Sequence, residues 1–149
     1  MANGRHVSRP TILTTSVLTT VGFAVLIGAG LIYLGVGVSY PLFHLVAEFF
    51  AIAVAVATFM IAWNSRRRAE NGYLVFLGIA YIFVAGLDLL HTVSFRGTSL
   101  LPGASTNLAT QLWIAARYIQ ASALLIAPTY IDKRVSGRAV FWGYAVATG

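Results

Sequence analysis

Four long apolar runs, at residues 11–33, 41–63, 73–95 and 108–130, most constrain what this sequence can fold into. Each is long enough to cross a bilayer as a helix, which takes about 20 mostly apolar residues. A fifth run, 139–149, has roughly half that length. The runs are continuous, whereas strands of membrane barrels alternate apolar and polar residues. We therefore expect an all-α, polytopic transmembrane helix bundle with four complete spans and the start of a fifth.

Composition supports a membrane protein, because 58% of the residues are hydrophobic and only 9% are charged. We expect residues 1–149 to form a single membrane-integral domain that is truncated at the C-terminus. The lipid bilayer is its first expected partner. The absence of cysteine excludes disulfides and thiolate metal ligands.

The distribution of basic residues predicts the orientation of the spans. Cytoplasmic loops of membrane proteins concentrate Lys and Arg, so the arginine cluster after the second run marks the inside. With the N-terminus also in the cytoplasm, Arg96 lies outside, Arg117 lies within a span, and the other eight of the ten basic residues lie inside. These eight are Arg5, Arg9, Arg66, Arg67, Arg68, Lys133, Arg134 and Arg138. The net charge of +6 is explained by topology, and we expect no nucleic-acid partner.

Five ionisable residues, His44, Glu48, Asp88, His91 and Arg117, lie within the predicted spans, where burying charge is costly and usually serves a function. His44 and Glu48 are four residues apart, and Asp88 and His91 are three apart, so each pair lies on one face of its helix. In the predicted orientation both pairs lie in the outer half of the membrane, with Arg117 about 13 Å below residue 108. The two pairs should therefore lie at similar depth, and all five residues should lie in the outer half of the membrane.

Small residues at positions 51, 55, 58 and 62 continue the face of His44 and Glu48, and close helix packing favours such residues. We expect this face to contact protein. The corresponding face of the third run holds Gly78, Tyr81 and Ala85. On the fourth run, Trp113 lies on the face of Arg117, and Gln111 lies on the neighbouring face. The pattern predicts a polar pocket among the second, third and fourth helices that opens outward.

Several interpretations of these residues stay open. The two histidines and two carboxylates suit a divalent transition metal, or His44 and His91 could be axial haem ligands. A small polar molecule could bind Arg117, Gln111 and the carboxylates, or the histidines could respond to external pH. Arg117 could instead simply neutralise Glu48 or Asp88 and hold the bundle together. The cofactor is therefore unknown at this stage.

The strings PLFHLVAEFF, FMIAWNSRR, YLVFLGIAYIFVAGLDLLHT and LATQLWIAARYIQASALLIAP carry a family resemblance. The chain resembles the third class of membrane-associated sensor domains, the MASE group of bacterial and archaeal signalling proteins. The resemblance covers residues 40–139. The resemblance implies that the family's recurrent polar positions are important, but it assigns them no role. These positions are His44, Glu48, Asn64, Arg66, Arg67, Asp88, His91, Gln111, Trp113 and Arg117. Asn64 and Arg66, Arg67 and Arg68 belong to the cytoplasmic side, where they could cap the second helix or touch a downstream module.

The resemblance implies a non-catalytic input domain in the inner (cytoplasmic) membrane. Its partner would be a C-terminal output module of the same polypeptide, of PAS, histidine kinase or diguanylate cyclase (GGDEF) type, and family analogy suggests a homodimer. We expect a cue to bind among helices two to four and to be passed on to that module. The alternatives are a fragment of a transporter or channel with an intramembrane charged pathway, and a membrane metalloenzyme. The sequence beyond residue 149 would discriminate sensing from transport.

Overall fold

The computed structural model describes residues 9–96, 100 and 105–148, with side chains from residue 14 onward, and it is helical as the sequence predicts. Five α-helices follow one another: α1 (Arg9–Tyr33), α2 (Tyr40–Ser65), α3 (Gly72–Ser94), α4 (Thr106–Ile126) and α5 (Gly137–Thr148). A π-helical turn, Leu34–Val38, extends α1, and a 3₁₀ turn, Ala127–Tyr130, extends α4. No strand occurs in the described residues. The all-α prediction is confirmed for this part of the chain.

Within the part of the chain that the structure describes, three helical segments are long and apolar enough to cross a membrane: Thr14–Val38, Tyr40–Ser65 and Gly72–Ser94. They correspond to the first three predicted spans. The fourth predicted span coincides with α4 and its 3₁₀ extension, and the fifth with most of α5. Membrane crossing by these last two helices, and the cytoplasmic N-terminus, stay predictions. Arg5, which contributes to the charge count, lies outside the described residues.

The described chain divides into two compact units between Phe43 and His44. In the first unit, Ser39 interrupts the helical path with an extended backbone, at φ −164° and ψ 119°. Its N–H donates to the carbonyl of Leu34 at 2.9 Å, which closes the π-helical turn. Tyr40 and Pro41 then open α2, where the missing N–H of proline costs no helical hydrogen bond.

In the second unit, α3 is the central helix, and eleven of its residues are buried. It packs most extensively against α4. The buried residues of α4 are three alanines seven positions apart, Ala109, Ala116 and Ala123, each at most 2% exposed. Their small side chains allow the close helix approach that is typical of membrane bundles.

Small residues also set the contact between α2 and α3. Ala55 and Ala62 are the buried residues of α2, and Gly78 of α3 lies against Ala62 so closely that a Cβ on Gly78 would overlap the Cβ of Ala62. The predicted protein-facing stripe on α2 therefore contacts protein at Ala62. Its first member, Ala51, is exposed.

Aromatic rings connect α3 to α5. Phe83 of α3 stacks near Phe141 and Tyr144 of α5, with ring centroids 5.2 Å and 5.8 Å apart. Nearby, the N–H of Gly72 donates to the carbonyl of Lys133 at 2.9 Å. The start of α3 is thereby joined to the loop before α5.

Candidate functional site

Two histidines and a glutamate meet where the start of α2 lies against the end of α3. His44 and Glu48 occupy successive turns of α2, and His91 lies in the last turn of α3. One potential ligand atom from each of the three side chains lies within 4.8 Å of the other two. The imidazole rings are nearly perpendicular, with centroids 5.4 Å apart. His91 is buried, at 7% exposure, while His44 and Glu48 are partly exposed.

The orientation of His91 is fixed by the third helix of the site. Its Nδ1 lies 2.7 Å from the carbonyl oxygen of Ala109 on α4. Because a carbonyl can only accept a hydrogen bond, Nδ1 carries a proton, and in the neutral form of the ring Nε2 carries a lone pair. That Nε2 is buried and has no hydrogen-bond partner among the residues described. A buried nitrogen with an unused lone pair can bind a ligand.

Phe95 closes one side of the histidine pair. Its ring centroid lies 4.4 Å from that of His44 and 6.3 Å from that of His91. An aromatic ring beside two imidazoles lowers the local polarity, which strengthens electrostatic interactions inside the cluster.

Asp88, one turn before His91, forms an ion pair with Arg117 of α4. One guanidinium nitrogen lies 2.5 Å from the carboxylate Oδ2. Asp88 is 3% exposed, whereas the side chain of Arg117 is 39% exposed. The carboxylate Oδ1 of Asp88 and the Nε of Arg117 are buried without hydrogen-bond partners in the described part of the chain. The pair thus joins α3 to α4 but leaves bonding capacity on both partners.

A cavity of about 260 Å³ lies beside this ion pair, among α2, α3 and α4. Its polar lining consists of Tyr81, Asp88, Arg117 and Gln120, and α2 supplies apolar side chains such as Val54. Gln120 donates from Nε2 to the hydroxyl of Tyr81 at 3.2 Å, which forms a second polar link between α3 and α4. The volume and mixed lining can accommodate a small polar molecule.

The predicted pocket residues therefore fall into two adjacent groups. The first group, His44, Glu48 and His91, is called the histidine cluster below. The second is the Asp88–Arg117 ion pair, and α3 carries a member of each group on one face. Trp113 reaches only the edge of the second group, with its ring centroid 6.0 Å from the Arg117 guanidinium carbon. Gln111 is exposed.

Three contributors to the site were not among the predicted site residues. Tyr81 lies on the predicted face of the third run, and Gln120 lies three residues after Arg117, so the polar side chains of both were the available signal. The carbonyl of Ala109 gives no such signal, because every residue carries one.

The remaining predicted residues lie at the opposite end of α2, since Asn64 is 20 residues from His44, or about 30 Å along a helix. Asn64 donates to the carbonyl of Met60 at 2.8 Å within its own helix. Arg66 donates to the carbonyl of Trp63, and its guanidinium lies 3.9 Å from the Trp63 ring centroid. Arg67 and Arg68 are exposed. These contacts cap and flank the end of α2, and they are compatible with the topological role.

A family comparison decides the identity of the chain. The model of the membrane-associated sensor domain MASE3 matches residues 37–149, about three quarters of the sequence. The chain belongs to the MASE3 family. No curated protein and no solved structure matches it. The MASE3 match includes α2 to α5 and hence both groups of site residues. The family supports a sensory input role at the membrane, and the match confirms the resemblance carried by the motifs of the second, third and fourth runs.

Proposed function

We propose that this MASE3 domain detects an external or membrane-dissolved cue among α2, α3 and α4, and transmits it to a cytoplasmic output module of the same polypeptide. The output module is of PAS, kinase or cyclase type. The observation that carries the proposal is the Asp88–Arg117 ion pair, which connects two helices while one oxygen and one nitrogen of the pair stay unused.

The ion pair gives the domain a contact that can exist in two states. Lipid supplies no water to solvate a separated carboxylate or guanidinium, so the paired arrangement of α3 and α4 is favoured when no other polar group is present. A polar cue in the adjacent cavity can bond to Asp88 Oδ1 and Arg117 Nε and thereby favour one helix arrangement over another. Only such a difference in affinity shifts a conformational equilibrium.

The expected size of the effect follows from this pair. A coupling free energy of about 1–3 kcal/mol corresponds to a population change of about 5- to 150-fold. A change of this size in the α3–α4 contact is large enough to switch an output module. Because α3 also contacts α5, the shift has a path through packed helices toward the C-terminal side of the chain.

The test measures output activity of the complete signalling polypeptide in membranes. Asp88→Asn and Arg117→Gln each break the charge pair, and we expect either one to change the basal output and to reduce the response to the cue. Asp132→Asn and Arg138→Gln are matched controls, because both residues are exposed. Membrane insertion is quantified for every variant.

The result that would reject the proposal is unchanged basal output and unchanged cue response in both pair variants, at equal insertion. The pair would then be a structural link between α3 and α4. The charge exchange Asp88→Arg with Arg117→Asp adds a second criterion, since restored output would show that the pairing itself matters.

A further inference from the structure

The histidine cluster has the donor set of a metal site. It offers two imidazole nitrogens and one carboxylate oxygen from two helices, with the three atoms within 4.8 Å of one another. We propose that His44, Glu48 and His91 bind a divalent first-row transition-metal ion. The ion would be a further ligand of the proposed sensor. A signalling role for the ion rests on the proposed function, whereas metal binding by these residues does not.

The strongest support is the state of His91. Histidine ligands of metals usually donate their second ring N–H to a carbonyl or carboxylate, which fixes the ring and directs the other nitrogen at the ion. His91 shows this arrangement through Nδ1 and the Ala109 carbonyl at 2.7 Å. Its Nε2 is left buried without a hydrogen-bond partner among the described residues, in a side chain that is more than nine-tenths buried. A metal ion would satisfy this lone pair.

The donor set also limits which ion fits. Calcium and magnesium prefer oxygen ligands, and the chain has no cysteine for thiolate coordination. Two imidazoles and one carboxylate suit zinc, iron, cobalt, nickel or copper in the divalent state, and they leave coordination positions open.

Charge supports the same conclusion. Two neutral imidazoles and one carboxylate leave a divalent ion with a net charge of +1. The nearby carboxylate of Asp88 is already paired with Arg117, so Glu48 is the carboxylate of the site that can be assigned to the ion. A bound cation would also offset the negative charge of Glu48, which is costly in a membrane span.

Metal binding would link α2 and α3 through one ion. Two atoms that bind one ion at about 2.1 Å can be at most about 4.2 Å apart, so a pair at the 4.8 Å limit would have to close by about 0.6 Å. The ion would cross-link the start of α2 to the end of α3, and His91 would carry the movement to α4 through Ala109. The helix arrangement with the shorter distances is the one that the metal stabilises.

The test uses the whole chain purified in detergent and freed of metal by a chelator. Cobalt(II) serves as the spectroscopic probe, zinc(II) is titrated calorimetrically, and X-ray absorption reports the ligands. We expect one ion per chain, a nitrogen- and oxygen-rich shell that contains two imidazoles, and binding that weakens more than about 100-fold in His44→Gln, Glu48→Gln or His91→Gln. Glu70→Gln, at an exposed carboxylate, and His6→Gln, at the third histidine of the sequence, should bind as the unsubstituted chain does.

Circular dichroism on each variant separates lost binding from lost folding, and Glu48→Gln preserves side-chain shape. The proposal is wrong if the folded chain binds neither ion, or if all three substitutions leave binding unchanged. If the metal binds but does not change the output activity, the site is upheld and only its part in signalling is rejected.

Discussion

Replacing Gly78 by alanine tests whether the α2–α3 contact depends on the absence of one methyl group. A Cβ at position 78 would overlap the Cβ of Ala62 and lie 3.1 Å from the carbonyl oxygen of Thr58. Neither neighbour is the flexible end of a long side chain, so relief requires the two helices to move apart. Overpacking of this kind typically costs about 1–3 kcal/mol.

Helix propensity acts in the opposite direction and must be subtracted. Alanine is favoured over glycine in a helix by about 1 kcal/mol. Gly78→Ala should therefore lower the free energy of unfolding by up to about 2 kcal/mol. Gly86→Ala on the same helix is the matched control, because no atom of the described residues comes within 4 Å of a Cβ built there. The control should be neutral or stabilising by up to about 1 kcal/mol.

The assay is unfolding of the chain in mixed micelles with an increasing fraction of denaturing detergent, followed by circular dichroism and tryptophan fluorescence. Ala62→Gly completes a double-mutant cycle, since it removes the methyl group that the new Cβ meets. We expect the Ala62→Gly and Gly78→Ala changes to be coupled by about 1–3 kcal/mol, with the double variant more stable than additivity predicts. Equal effects at positions 78 and 86, or strict additivity in the cycle, would refute this packing argument.

Three further predictions address orientation, capping and the α3–α4 contact. Reporter fusions should place the loop at Arg68 in the cytoplasm and the loop at Arg96 outside, and the reverse result would contradict the charge argument. Asn71→Ala should destabilise the chain by about 1 kcal/mol, because its side chain caps α3 through a 2.8 Å hydrogen bond, whereas an unchanged unfolding midpoint would deny the cap a role. Tyr81→Phe removes the hydrogen bond from Gln120 and should lower the free energy of unfolding by about 0.5–1.5 kcal/mol in the micelle assay. Adding Gln120→Ala to the Tyr81→Phe variant should then lower it little further, and a large additional loss would show that the bond is unimportant.

The position of the histidine cluster follows from local helix geometry. Four-residue spacing placed His44 and Glu48 on one face of α2, and three-residue spacing did the same for Asp88 and His91 on α3. Antiparallel connection of two helices by a short loop then brought His91 to the level of His44. Each of these steps uses local helix geometry, and the structure accordingly brings the histidine rings within 5.4 Å.

Local helix geometry did not predict which carboxylate pairs with Arg117. The sequence offered Arg117 two carboxylates, Glu48 and Asp88, and the structure pairs it with Asp88. The choice depends on how α4 is rotated and shifted against α3, which the alanine seam at Ala109, Ala116 and Ala123 sets. Residue types at the site do not encode that rotation.

The sequence by itself determined that the described chain is helical, where its apolar helices lie and which polar residues share a helix face, because apolar length and helical period are properties of single segments. Only the tertiary structure decided that the polar residues divide into a histidine cluster and an ion pair, and that a backbone carbonyl of α4 orients His91. Those contacts join segments far apart in the chain, and they depend on the distances to which small residues such as Gly78 and Ala109 let the helices approach.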